Sequence, residues 1–345
     1  MAEEAVRKAF KDQSYWCARM GSPFTARICA LVGQRVDRTS AVGRRLLDWP
    51  GNPDGWADGL PLRLCGGLHA LVRRGSLTSL ASCYPPYPER GDETLWTGIA
   101  EGLEESALLP WLDHPPQTNE VGRGNGLMAG LLVVAATFGK PIRLYELGAS
   151  AGLNLILDRY GFDLGGTGAG DLQSALKLTP EWTGPPPPAA HVDIIGRAGV
   201  DLDPVDPVGG RERLLAYVWA DQRDRLAQLE KALAIAASDP PVIERGDAAD
   251  WLERNLDVTS ETGVARVVMH SVAYQYFPRK TQARIAARME QAGREASPDA
   301  PLAWLRFEKD DGDKETTLRL RLWPGQDRLL AHCQPHGRAI HWLEG

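Results

Sequence analysis

The spacing of hydrophobic and polar positions changes character about a third of the way along the 345-residue chain. Up to about Leu112 the apolar residues recur in helical steps, interrupted by two breaker clusters, Pro50-Gly-Asn-Pro-Asp-Gly55 and Tyr84-Pro-Pro-Tyr-Pro88. Strand-like runs are scarce there, so residues 1–115 are expected to form a helical N-terminal domain that ends around Pro115-Pro116. From Gln117 onward short apolar runs alternate with helical patterns, which is the signature of a parallel sheet with crossover helices. Residues 116–345 are therefore expected to form an α/β core.

Five runs read as parallel strands: Ile142 to Leu147, a region within Val192 to Leu202, Val242 to Arg245, Ala265 to His270 and Leu302 to Phe307. After Phe307 the pattern alternates, with Leu318, Leu320 and Leu322 on one face and Arg319 and Arg321 on the other. The turn Pro324-Gly325 and a further strand follow, so an antiparallel hairpin is expected to close a seven-strand sheet. Between the strands, Leu214, Leu215, Val218, Leu226, Leu229 and Leu233 predict one long helix over Arg211 to Ala237. The glycine- and proline-rich stretch Gly161 to Ala190 reads as a long loop or insertion. The longest apolar stretch, Leu127 to Phe138, is shorter than the roughly 20 residues a bilayer crossing needs, and reads as a buried helix.

Charge and cysteine usage narrow the class. Lys and Arg (39 together) are mixed throughout with Asp and Glu (45 together), for a formal charge of −6, so the concentrated basic face of a nucleic-acid binder is not expected. Five cysteines, an odd number without a C-x-x-C pair, indicate neither a disulfide framework nor a zinc knuckle. The first ten residues are amphipathic and lack the apolar centre of a signal peptide, so a cytoplasmic location is expected, with no membrane partner.

The segment with most chemical content is Arg143-Leu-Tyr-Glu-Leu-Gly-Ala-Ser-Ala-Gly-Leu-Asn-Leu155: an apolar strand, an acidic residue, a turn of small residues, then an expected helix. Such a turn lets a ligand approach backbone N–H groups. Here the chain resembles the class I S-adenosylmethionine-dependent methyltransferases, whose first motif is an acid followed by alternating glycines. Glu146, Gly148 and Gly152 match it, and Ser150 stands where the middle glycine would be. The run Gln117 to Tyr160 also looks like an uncharacterised bacterial family placed beside those enzymes. The resemblance implies a Rossmann-like sheet, S-adenosylmethionine as cofactor and a small-molecule methyl acceptor.

It also implies roles for later residues. Asp201, at the end of the second strand, would hold the ribose hydroxyls, with Asp203 or Asp193 as alternatives, and each of these acids also fits a turn or a helix cap. Asp247 would contact the adenine amino group, or else cap the helix around Trp251. Asn119 and Arg123 would cover the methionine end, Arg123 as a fork on the carboxylate, while Asn119 and Glu120 equally fit an N-terminal cap. His270, at the fourth strand end, is a candidate proton acceptor, and Tyr274 or Tyr276 a candidate wall of the acceptor pocket.

Gly148-Ala-Ser-Ala-Gly152 also spells G-x-S-x-G, the nucleophile elbow of α/β-hydrolases. In that reading Ser150 is the nucleophile, followed by Asp247 and by His270 or His332. The scarcity of strands before Ile142 and the absence of an upstream His-Gly-Gly sequence weigh against it. A third reading is a methyltransferase-like binding protein without catalysis. His332, His336 and His341 match no closed zinc spacing, so no metal site is expected.

Overall fold

A computed structural model describes residues 2–256, 261–309 and 315–344. Two compact units emerge: residues up to Thr118 together with Gly210–Ala227, and Asn119–Gly209 together with Gln228 onward.

The first unit is helical. It contains α1 (Ala2–Arg19), α2 (Pro23–Arg35), α3 (Ala41–Leu47), α4 (Leu60–Arg73), α5 (Thr78–Ala81), α6 (Asp92–Glu104) and α7 (Leu109–Asp113). Helix starts have local causes: proline stands in the first turn of α2 and α4, and the Ser40 hydroxyl caps α3 by accepting the Gly43 N–H at 2.9 Å. The apolar faces meet in one core that includes Phe10, Ile28, Leu46, Leu64, Leu68 and Ile99. The single helix expected over Arg211 to Ala237 is broken into α9 (Arg211–Ala216) and α10 (Arg223–Ser238). Residues in the break are held by the first unit. Asp221 accepts the Phe24 N–H at 2.9 Å and a hydrogen bond from the Ser22 hydroxyl, while Gln222 donates to the Met20 carbonyl at 2.9 Å. Capping α2 requires an unwound backbone at Asp221, and this outweighs the helical period of the leucines.

In the second unit, α8 (Gly124–Phe138) is the expected buried helix. The stretch Val121–Phe138 is long and apolar enough to cross a membrane by length and composition, but 78% of it is buried inside the protein. Gly126 and Gly130 let it lie close to the sheet, because a Cβ there would stand 2.8 Å from the Phe307 ring and 2.4 Å from Leu305. The strands are β1 (Ile142–Leu147), β2 (Gly161–Leu164), β3 (Thr167–Gly170), β4 (Lys177–Leu178), β5 (Glu181–Thr183) and β6 (Ile194–Asp201). They continue with β7 (Ile243–Arg245), β8 (Ala265–Ser271), β9 (Leu302–Glu308), β10 (Thr316–Trp323), β11 (Asp327–Cys333) and β12 (Ala339–Trp342).

The main sheet has nine strands where seven were expected, in the order β5-β12-β11-β10-β9-β8-β1-β6-β7. All the expected strands are present. The two additions are β12, which returns antiparallel to β11, and β5, which pairs parallel to β12 at the edge. Gly161 to Ala190 is therefore not simply a loop: besides β5 it forms a second sheet in the order β3-β2-β4. On one face of the main sheet, Tyr145, Val200, Val268, Trp304 and Trp323 pack against Trp251 and Leu252 of α11 (Ala248–Asn255) and against Ile285 and Met289 of α12 (Arg279–Glu295).

Candidate functional site

Strand β1 lies between β6 and β8, parallel to both, with Glu146 opposite Gly199 on one side and Met269 on the other. From β1 the chain builds outward through β6 and β7, then returns to build the other way through β8 and β9. The carboxyl ends of β1, β6 and β8 thus form a topological switch point, the place where open parallel sheets take ligands.

The turn after β1 is unusual. Gly148, Ser150 and Gly152 all have positive φ, at 71°, 53° and 72°. Alternation of left-handed residues prevents a helix from starting, and the helix expected after Gly152 is replaced by turns and a short 3-10 segment, Leu157–Arg159. Asn119 meets the backbone demand instead: its Oδ1 accepts the Ala151 and Leu153 N–H groups at 3.2 and 2.9 Å. The glycines are also required by packing. A Cβ on Gly148 would lie 2.6 Å from Ala273 Cβ, and one on Gly152 2.7 Å from Pro241 Cγ.

Glu146 is 1% exposed. Burial drives its carboxyl well above the usual carboxylate range, against a hydrogen bond from Asn154, and Oε2 has no hydrogen-bond partner among the described residues. Arg123 donates from Nη1 to the Ser271 carbonyl at 3.0 Å and from Nε to the Pro335 carbonyl at 3.1 Å, tying the end of β8 to the β11–β12 connection. Glu120, not Asn119, caps the short helix Val121–Arg123 through the Gly122 N–H.

The proposed ribose and adenine acids are both engaged with backbone. Asp201 accepts the Ser150 N–H at 2.8 Å and the Asp203 N–H at 2.9 Å, bridging the turns after β1 and β6. Asp203 pairs with Arg245 at 2.9 Å. Asp193 precedes β6, so it stands at the opposite end of the sheet from the turn. Asp247 is the N-cap of α11, with Ala249 and Asp250 donating at 2.9 and 3.0 Å and the Thr281 hydroxyl at 3.2 Å.

His270 is buried between two partners. Trp304 Nε1–H donates to Nε2 at 3.0 Å, which places the ring proton on Nδ1, and Nδ1 donates to Glu308 Oε1 at 2.8 Å. The same carboxylate oxygen accepts the Ala273 and Tyr274 N–H groups at 2.9 and 3.0 Å. Tyr274 stacks on His270 with ring centroids 4.9 Å apart and donates its hydroxyl to the Gln282 carbonyl at 2.7 Å. Tyr276 is exposed. Val272, a β-branched residue at φ 49°, joins β8 to this loop and is held by the Phe307 carbonyl at 2.9 Å.

Sequence reasoning therefore located β1, its acid and the loop after β8, and missed Asn154, Val272 and Glu308. Asn154 lay inside the quoted motif. Glu308 sits one residue past the run read as a strand, where no pattern marks it. The geometry does not assemble a hydrolase triad: Ser150 Oγ is buried with no hydrogen-bond partner among the described residues, Asp247 is a cap and His270 Nε2 is taken. His332 and His341 stack with centroids 6.5 Å apart, and no group of three or more metal-ligating side chains occurs among the described residues.

These features define an α/β protein with a parallel switch point whose buried polar groups gather at the strand ends. The family described as "Uncharacterized protein conserved in bacteria (DUF2332)" matches residues 7–342, and the chain belongs to it. No curated protein and no solved structure matches the chain.

Proposed function

We propose that the second unit binds S-adenosylmethionine across the carboxyl ends of β1, β6 and β7 and passes its methyl group to a small-molecule acceptor beside the loop 272–277. The observation that carries the reading is Glu146, an enclosed and incompletely paired acid at the tip of the central strand of a switch point. The five strands β1, β6, β7, β8 and β9 stand in the spatial order 3-2-1-4-5, which is that of nucleotide-binding sheets of this class and supports the same reading.

The residues present fit the cofactor best at its amino-acid end. The free oxygen of Glu146 suits an ammonium group, with Asn119 fixing the turn and Arg123 the surrounding loops. At the adenosine end Asp201 and Asp247 already accept backbone N–H groups. A carboxylate has about four acceptor positions, which leaves each able to take a hydroxyl or amino donor as well. When bound, the cofactor supplies an electrophilic methyl group. The chain then has to align it with the acceptor and exclude water. Tyr274 lines that side, oriented by His270, whose two nitrogens are engaged. Five free, buried cysteines support a reducing, cytoplasmic setting.

A second reading, binding without catalysis, is supported by Ser150 standing where the motif has its middle glycine. Calorimetry separates the readings. S-adenosylmethionine and its demethylated product should both give heat and a thermal shift at millimolar concentration, with NAD and nucleoside triphosphates silent. Absence of any signal from the first pair removes the methyltransferase reading, and binding without turnover of any acceptor leaves the second.

A further inference from the structure

Thiols from three helices meet inside the first unit. Cys29 of α2 and Cys65 of α4 stand with their sulfurs 3.7 Å apart, and Cys29 is also hydrogen-bonded to Cys17 of α1. On its far side Cys17 Sγ accepts a hydrogen bond from Gln13 Nε2 at 3.3 Å. Cys17 and Cys29 are fully enclosed at 0% exposure, while Cys65 keeps 8%.

A free cysteine in a core is ordinarily a small apolar filler, and its reactivity rather than its packing sets it apart. Cys29 has a thiol on either side. A disulfide forms only where two side chains already face each other, and Cys29 and Cys65 meet that condition: from 3.7 Å the sulfurs have about 1.7 Å to close to reach bonding length. Of the two neighbours of Cys29, Cys65 is the better partner, because the Cys17 sulfur is engaged by Gln13 and Cys65 alone of the three keeps surface through which a small oxidant can enter.

We infer that Cys29 and Cys65 form a reversible disulfide when the protein meets a hydroperoxide. The hydroperoxide transfers one oxygen to the Cys65 sulfur and departs as an alcohol, or as water where it is hydrogen peroxide, leaving a sulfenic acid. The Cys29 sulfur then attacks that sulfenic sulfur. The S–S bond forms, the S–O bond breaks, and the hydroxyl leaves as water with the Cys29 proton. The two thiols lose two electrons in all, and the O–O bond takes up the same two. A dithiol reverses the bridge by exchange.

The bridge joins the two helices that hold residues 210–227. Asp221 caps α2, while α4 binds the same segment through His69 Nδ1 at the Ala216 carbonyl and through the Arg73–Glu212 pair at 3.3 Å. Cross-linking positions 36 apart in sequence stiffens that clasp. The inference does not depend on S-adenosylmethionine binding.

The test treats the full, reduced chain with hydrogen peroxide, alkylates the remaining thiols in denaturant and maps the peptides. Two of the five cysteines should escape alkylation as a Cys29–Cys65 pair, and dithiothreitol should restore all five. Cys17→Ala should bridge as the parent does, and Cys29→Ala should form no bridge. The bridged chain should melt roughly 5–10 °C above the reduced one. Five alkylated cysteines, a bridge to Cys17 or Cys83, or sulfinic acid at Cys65 without a bridge overturns the inference, and a bridge with no rise in midpoint overturns the stiffening. Should Cys29→Ala not fold, the map of the unaltered chain decides by itself.

Discussion

Glu308 joins His270 of β8 to the loop that follows it. One carboxylate oxygen takes the histidine Nδ1–H at 2.8 Å together with the N–H groups of Ala273 and Tyr274, and both residues of the pair are almost fully buried. Truncating one partner of a buried pair leaves the other uncompensated. Glu308→Ala should therefore cost about 3 kcal/mol, because the buried His270 donor and two part-buried N–H groups lose their acceptor, at roughly 1–3 kcal/mol for a fully buried one. Glu308→Gln keeps an acceptor oxygen and should cost clearly less. Urea denaturation of both variants checks this, and equal losses would show that the oxygen does not organise the loop.

Much of this arrangement was legible in the sequence because parallel strands buried on both faces read as continuous apolar runs. Val267, Val268 and Met269 are of this kind, and Leu318, Leu320 and Leu322 show the alternation of an antiparallel strand. What was not legible depends on contacts far apart in sequence. Strands β5 and β12 are three and four residues long and acquire meaning only by pairing with each other and with β11. The helix break at Asp221 exists to cap α2, nearly two hundred residues earlier. The motif around Glu146 was read correctly as a turn, yet its following helix was not formed, because the left-handed residues Gly148, Ser150 and Gly152 interrupt it and Asn119 Oδ1, from a different segment, accepts the freed N–H groups.

His69 makes the first unit acid-sensitive. Burial lowers its pKa from 6.5 to about 4, and its Nδ1 bonds to the Ala216 carbonyl at 3.1 Å. The unfolded chain binds the proton below about pH 6.5 while the folded one does not until about pH 4, so stability falls as pH drops through that window. Between pH 7 and 5 the loss should be about 2 kcal/mol. His69→Gln should flatten the profile. Chemical denaturation at the two pH values is the measurement, and an unchanged slope in the variant would assign the acid sensitivity elsewhere.

Glu146 should act with the opposite sign. Its folded pKa is raised well above the ordinary 4.5, so the folded state keeps a proton that the unfolded state releases. Stability is undiminished below about pH 4.5 and falls as pH rises toward the folded value. Glu146→Gln removes the titrating group. The variant should match the parent near pH 4 and exceed it at pH 8 when both are unfolded in urea. A parent that gains stability over that range relative to the variant would mean that the carboxylate is ionised and paired in the fold.

Asp201 and Asp247 give the most direct division between structure and binding. Each accepts two backbone N–H groups, Asp201 from Ser150 and Asp203 and Asp247 from Ala249 and Asp250, so each has a folding role whatever it binds. Replacement of an N-cap acceptor by alanine costs about 1 kcal/mol, and Asp247→Ala should lower stability by that amount. Asp201→Ala should cost more, since the Ser150 N–H it satisfies belongs to the strained turn. If these carboxylates also hold the ribose and the adenine amino group, each replacement should weaken S-adenosylmethionine binding roughly ten- to a hundredfold, the equivalent of about 1.5–3 kcal/mol for a hydrogen bond to a charged acceptor. Affinity and stability measured on the same samples distinguish the outcomes. Lower stability with unchanged affinity in both variants would leave the acids as caps alone and move the cofactor away from the ends of β6 and β7.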